Sequence, residues 1–302
     1  MALALALASP SLEVVGVTIV MDNHSDVHLL AANAAKVMAL CGRRDIPIYV
    51  GAEHPLAEEY HGHSGIHVHG QNGLGGTELD MTDAIVPSSE MTAAEYLVHA
   101  TAGGDISLIA LGPLTNVALA IQADPEFAAR IPVFSLMGGT VDGVGNASPS
   151  GEANFINDPE AAAIVFDAPF PAVIMAGLNA TRQVPLSDSF RAAIKATGSP
   201  VADFAHAASA GYIAALAEWN ALSYVHDSTA VMALVRPDIF TSKLVAVRVE
   251  TKGEITRGTS VADFSGIHWP GARKNVHVLM TVDTQAYYDH YVARIATYAA
   301  HS

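Results

Sequence analysis

The sequence predicts an α/β fold: a doubly wound, mostly parallel sheet with helices on both faces. Three observations predict it. Short β-branched runs recur along the chain, helical patterns lie between them, and 51% of the 302 residues are hydrophobic against 15% charged. Strands that are apolar at nearly every position suit a sheet buried on both faces. Their alternation with helices implies crossover connections between parallel neighbours. That composition can build a deep core and excludes a disordered chain.

Taken in order, the first strand is expected at 13–20, where Glu-Val-Val-Gly-Val-Thr-Ile-Val is β-branched and short. Further strands are expected at 46–50, 105–111, 132–137, 172–177, 244–250 and 276–282 for the same reason. Helices are expected at 28–40, 91–102, 114–123, 158–166 and 283–300, with another beginning near Ala230. Asp158-Pro159 opens one of them, an acidic cap followed by proline at the first helical position. No internal period and no Pro/Gly/Ser-rich linker divides the chain, so 1–302 reads as one domain.

Fifteen Lys and Arg stand against thirty Asp and Glu, a net charge of −15. No basic stripe offsets it, which argues against nucleic acid and membrane surfaces as partners. The single cysteine, Cys41, leaves no intrachain disulfide and no cysteine-based zinc site. It fits a reducing, cytoplasmic setting and reads as a small buried hydrophobe at a helix end.

The opening run Met-Ala-Leu-Ala-Leu-Ala-Leu-Ala has two readings. As a secretory h-region it lacks a charged flank, because no Lys or Arg precedes Lys36, and it is too short to span a bilayer. As the second half of a buried helix it has strong helix formers but no Ser, Thr, Asp or Asn cap. The second reading is preferred, and the chain is expected to begin inside an element.

Parallel sheets bind ligands beyond the carboxyl ends of their strands, so residues just after each strand matter most. There the chain carries Met21-Asp22-Asn23-His24-Ser25-Asp26, then Gly112-Pro113-Leu114-Thr115-Asn116, then Gly138-Gly139 and a polar loop through Asn146, Glu152 and Asn154. His226-Asp227 precedes a helix. Amides, a carboxylate and a His-Asp pair therefore converge on one rim.

These residues resemble a known family. Leu136-Met137-Gly138-Gly139, Gly145-Asn146, Glu152, Asn154-Phe155 and Asp158-Pro159-Glu160-Ala161-Ala162 are similar to the central signature of the inosine/uridine-preferring nucleoside hydrolases. Leu111-Gly112-Pro113-Leu114-Thr115-Asn116, His226-Asp227, Thr256-Arg257-Gly258, Asn23 and His67-Val68-His69-Gly70 follow in the family's order. The resemblance implies hydrolysis of the N-glycosidic bond of ribonucleosides to a base and ribose. It implies Ca²⁺ as cofactor and an oxocarbenium-like transition state.

Carried over by residue, it makes Asp227 and the backbone carbonyl of Leu111 calcium ligands. Asn23, Asn146, Glu152 and Asn154 become ribose contacts, with Met137 against the sugar. His226 becomes the catalytic group that protonates the leaving base, since imidazole titrates near neutral pH. His69 becomes a second histidine on the leaving-group side. Base contacts are expected from variable loops at 61–76 and 205–223. A homodimer or homotetramer is expected, as in other members of the family.

Two departures bear on this. Ala153 stands where the family commonly has an aromatic, which alters a pocket wall. The family also opens with a strand and the loop D-x-D-P-G-x-D-D, and Met1 aligns two positions beyond that loop's last aspartate. The main calcium carboxylates and the base acting on water then fall outside these 302 residues, along with a first, central strand. The expectation is weak or absent calcium and little turnover, with a polypeptide start further upstream or a shortened inactive homologue as explanations.

Plainer readings stand beside these. Asn146 and Asn154 taken singly are ordinary turn residues. Gly138-Gly139 permits a tight turn, and Thr256-Arg257-Gly258 reads as a turn supporting the crevice. Asp22, His24, Asp26 and His28 read as a solvated face rather than a metal site, and the same holds for His61, His63, His67 and His69. Trp219 and Tyr224 suit either a base pocket or core packing. The alternatives to an enzyme are a non-catalytic nucleoside- or ribose-binding homologue and a secreted sugar-binding protein.

Overall fold

A computed structural model describes residues 1–57, 65–81, 83, 84, 86 and 89–301. The strands are β1 (Val17–Ile19), β2 (Ile48–Val50), β3 (Leu108–Ala110), β4 (Phe134–Met137), β5 (Val173–Ala176), β6 (Phe240–Val249), β7 (Ser260–Asp263) and β8 (Val276–Val282). Seven match expected runs. β7 was not expected.

The strands form two sheets, a pair β1-β2 and a six-stranded sheet in the order β3-β4-β5-β8-β6-β7. β1 with β2, β3 with β4, β4 with β5 and β5 with β8 pair in parallel, while β6 runs antiparallel to both β8 and β7. The mostly parallel α/β architecture expected from the sequence is therefore observed, with an antiparallel flank at one end.

The helices are α1 (Ala2–Ala8), α2 (Val27–Leu40), α3 (Ile66–His69), α4 (Ala93–Ala100), α5 (Thr115–Ala123) and α6 (Ala153–Asn157). They continue as α7 (Pro159–Asp167), α8 (Leu178–Thr181), α9 (Asp188–Lys195), α10 (Pro200–Ala217), α11 (Asp227–Val235) and α12 (Thr284–Ala296). The expected loop at 205–223 is largely α10, whose Ser199 caps the Ala202 amide ahead of Pro200. Asp158 caps α7 as expected, and it also accepts from Thr115 Oγ1 at 2.6 Å and the Leu56 amide at 3.0 Å. One buried carboxylate thus ties three segments behind the rim.

α1 has no side-chain cap, in line with its sequence. Leu3 and Leu7 pack into the core of the small sheet, whereas Ala2, Ala4, Leu5 and Ala6 pack with residues of α11 and α12. The helix bridges the two sheets. Asn116 on α5 ties that helix to the small sheet, since its Nδ2 donates to the Ile19 carbonyl and its Oδ1 accepts from the Ala52 amide, each at 2.8 Å. Among the described residues, no helix is long and apolar enough to cross a membrane.

Candidate active site

The carboxyl ends of β3 and β4 place Leu111 and Met137 beside the short helix α6. Glu152 is the cap of that helix: Oε2 accepts from the Gly139 amide at 2.8 Å and the Phe155 amide at 3.3 Å, and Oε1 from the Asn154 amide at 3.0 Å. Gly139 can face Glu152 because its φ is +67°, and a Cβ there would lie 2.5 Å from Ser260 Oγ. Burial raises the Glu152 pKa to about 7 against the pull of these three backbone bonds, with a smaller push from Asp227. Most of the carboxylate's acceptor capacity is spent on shaping the rim.

Asn154 is anchored in a similar way. Its Nδ2 donates to the Met137 carbonyl at 2.9 Å and reaches the Leu111 carbonyl at 3.4 Å, while Oδ1 takes no hydrogen bond from the described residues. An amide held by its nitrogen presents its oxygen as an acceptor for a hydroxyl. Asn146 is exposed, and its Oδ1 accepts from the Ala153 amide at 3.0 Å, which closes the loop onto α6 and leaves its nitrogen available. Arg182 holds that loop from the other side through the Val144 and Gly145 carbonyls, at 2.9 and 2.6 Å.

His226 and Asp227 lie at the start of α11. His226 Nδ1 pairs with Thr181 Oγ1 at 2.7 Å, which fixes the ring plane. Burial lowers its pKa to about 4, with Arg182 adding to the effect. At neutral pH the imidazole is therefore uncharged, so the sequence argument from its ordinary titration range does not carry over to this environment. Tyr224 lies 6.1 Å from the His226 ring.

Asp227 is reached by solvent although protein surrounds it, as at the floor of a recess, and burial raises its pKa to about 6. Its carboxylate accepts no hydrogen bond from the described residues.

Asn23, half-buried on the loop after β1, approaches α3 through Gly65. His69 of α3 stacks on Tyr212 of α10 at 6.0 Å, and burial lowers its pKa to about 4, with His67 contributing. Burial raises Tyr212 to about 12, with Asp227 adding to it, so this aromatic wall borders the same recess. His67 meets the exposed Trp219 edge-on at 5.2 Å. His61 and His63 lie outside the described residues.

Sequence reading missed Thr181, Tyr212, Arg182 and Asn157, whose roles arise from contacts with distant segments. It also misassigned Asp22. Asp26 is the cap of α2, and His24 Nδ1 accepts from the Asp26 amide, an exposed arrangement as expected. Asp22 instead is buried, and its carboxylate accepts from Asn157 Nδ2.

A calcium ion suits the chemistry of the Asp227 carboxylate and the Leu111 carbonyl, both hard oxygen donors. Two donors fall short of the six to eight oxygens such an ion takes. Among the described residues, no group of three or more His, Cys, Asp or Glu is arranged to hold a metal. No reaction step is therefore drawn through calcium.

A mostly parallel α/β sheet whose rim carries amides and carboxylates offers the donors and acceptors that sugar hydroxyls require. The family model described as inosine-uridine preferring nucleoside hydrolase matches residues 1–289, and the chain belongs to that family. It is similar to the pyrimidine-specific ribonucleoside hydrolase RihA of Shewanella woodyi, 34% identical over 99% of this chain and 94% of that protein. It is also similar to uridine nucleosidase 1 of Arabidopsis thaliana, at 33% identity over 98% of this chain and 89% of that one. Among solved structures, the purine-preferring ribonucleoside hydrolase from Gardnerella vaginalis superposes with a TM-score of 0.90 at 27% identity, covering 100% of this chain and 95% of that one.

Proposed function

We propose that this chain hydrolyses the N-glycosidic bond of ribonucleosides, releasing a free base and ribose through an oxocarbenium-like transition state. The observation that carries the reading is the pairing of Asn154 and Asp227. One presents an amide oxygen left open while its nitrogen is anchored, and the other presents a carboxylate that takes no hydrogen bond from the described residues and whose charge reaches Glu152 at the start of the same helix. Together with Asn23 and Asn146 they supply acceptors and donors for sugar hydroxyls, and Met137 closes the wall.

Cleavage requires cationic charge on the sugar to be matched and the departing base to gain a proton. Asp227, with a pKa of about 6, and Glu152 in its ionised fraction make the site electronegative at neutral pH, which favours a ribosyl cation over the neutral ground state. His226, oriented by Thr181, and the His69–Tyr212 wall stand as the leaving-group side. With its pKa at about 4, the uncharged His226 offers the departing base an N–H hydrogen bond, and transfer of a proton to the base needs its imidazolium form.

Asp227 and the Leu111 carbonyl are the residues we assign to calcium, and we assign the chain to a cytoplasmic homo-oligomer. The names of the two curated relatives favour pyrimidine ribonucleosides, uridine first. Chromatographic release of uracil from uridine with calcium present tests the reading. Timed release supports it, and absence of release with uridine, cytidine and inosine contradicts it.

The shortfall of metal-holding side chains among the described residues favours one second reading, a nucleoside- or ribose-binding homologue without turnover. Calorimetry separates the two, since binding without product formation supports the second.

A further inference from the structure

We propose that Asp22 is a further substrate-contacting residue, whose free carboxylate oxygen accepts a hydrogen bond from one sugar hydroxyl and makes the site select for it. The proposal rests on the ribonucleoside reading above and adds a residue to it.

Four observations converge on Asp22. Its backbone φ is +137°, a region that glycine enters freely and other residues enter only under strain. A residue needed merely to turn the chain after β1 would be better served by glycine. Asp22 is nonetheless only 9% exposed, so its side chain points into the protein rather than to bulk solvent.

Its position is held from two directions. The backbone carbonyl accepts from the Gly65 amide at 2.7 Å, and the carboxylate Oδ1 accepts from Asn157 Nδ2 at the end of α6, the helix that carries Asn154. The other carboxylate oxygen takes no hydrogen bond from the described residues. That oxygen is not sealed in the interior and stays open to a ligand hydroxyl.

Asp22 also belongs to the same recess as the sugar-facing residues. Asn157 joins it to the helix that carries Asn154, and burial raises its pKa to about 8 with the charges of Glu152 and then Asp227 contributing. The neighbouring residue is Asn23. A carboxyl group here accepts from a hydroxyl when ionised and both accepts and donates when protonated, so it suits a sugar hydroxyl in either state. Selectivity follows from the asymmetry of hydrogen bonding: an analogue lacking the hydroxyl leaves Asp22 unpaired again.

Calorimetric titration of the whole chain with uridine and its 2′-, 3′- and 5′-deoxy analogues tests this, using wild type, Asp22→Gly, Asp22→Asn and Asn154→Ala. In the wild type, one of the three analogues should bind about ten- to a hundredfold more weakly than uridine through loss of the Asp22 contact. In Asp22→Gly that selectivity should collapse to about twofold or less while the losses for the other two analogues persist. Asp22→Asn should fall between. Asp22→Gly should also unfold at a higher temperature, because glycine accepts the backbone angle without strain.

If Asp22→Gly binds all four ligands as the wild type does, or weakens all four by the same factor, the assignment of Asp22 is overturned. Loss of uridine binding in Asn154→Ala under that outcome would leave the ribonucleoside reading standing. If the wild type binds no uridine, both readings fall.

Discussion

Replacing Glu152 by glutamine tests how the rim is built. The carboxylate accepts from the amides of Gly139, Asn154 and Phe155, and its pKa is raised from 4.5 to about 7, chiefly by burial. A folded-state value above the unfolded one means the stabilisation is complete below about pH 4.5 and is lost as pH rises towards 7. At about 1.4 kcal/mol per pH unit, the ionised carboxylate costs the folded chain about 3 kcal/mol by pH 8.

Glutamine at this position does not ionise, but its NH₂ faces at least one backbone donor. One buried N–H is left unpaired, at a cost of about 1–3 kcal/mol. The variant should therefore be less stable than the wild type by about 1–3 kcal/mol at pH 5, and the gap should close or reverse by pH 8. Asp22 and Asp227 have raised pKa values as well and tilt both curves, so the difference between the curves reports Glu152 itself. Urea unfolding at pH 5, 6, 7 and 8 measures it. A gap that stays constant across that range would refute the reasoning.

The remaining predictions concern separate parts of the site. Thr181→Val removes the Nδ1 partner of His226 and should lower kcat/KM about tenfold with little change in KM, and Thr181→Ser should restore it. Gly139→Ala places a Cβ 2.5 Å from Ser260 Oγ at a φ of +67° and should destabilise the fold by about 2 kcal/mol or more in urea titrations. Asp227→Asn removes a carboxylate that takes no hydrogen bond from the described residues. It should weaken calcium binding at least about tenfold by calorimetry and abolish base release, whereas a chelator added to the wild type should lower release reversibly.

Much of the architecture was legible because burial on both faces of a parallel sheet demands continuous apolar runs, and β1, β3, β4, β5 and β8 carry them. β7 escaped because Ser-Val-Ala-Asp is four residues long and owes its place to pairing with β6. α10 escaped because its alanine-rich sequence is apolar on nearly every side, which removes the periodic contrast that marks a helix, although Ser199-Pro200 was a readable start.

At the site, residue types at strand ends could be read and their environments could not. Asp22 sits in the interior only because its backbone takes a glycine-like angle and Asn157 meets it from 135 positions away in sequence. The neutral state of His226 depends on burial, which no local pattern encodes. The framework bonds of Glu152 and Asn154 likewise depend on where Gly139, Met137 and Leu111 arrive.

The location of the sugar is the most direct test of the whole account, and a crystal of the chain soaked with ribose provides it. Ribose hydroxyls are expected within hydrogen-bonding distance of Asn154 Oδ1 and the Asp22 carboxylate, above Asp227. Ribose bound elsewhere, or density beside Asn154 that touches neither carboxylate, would contradict it.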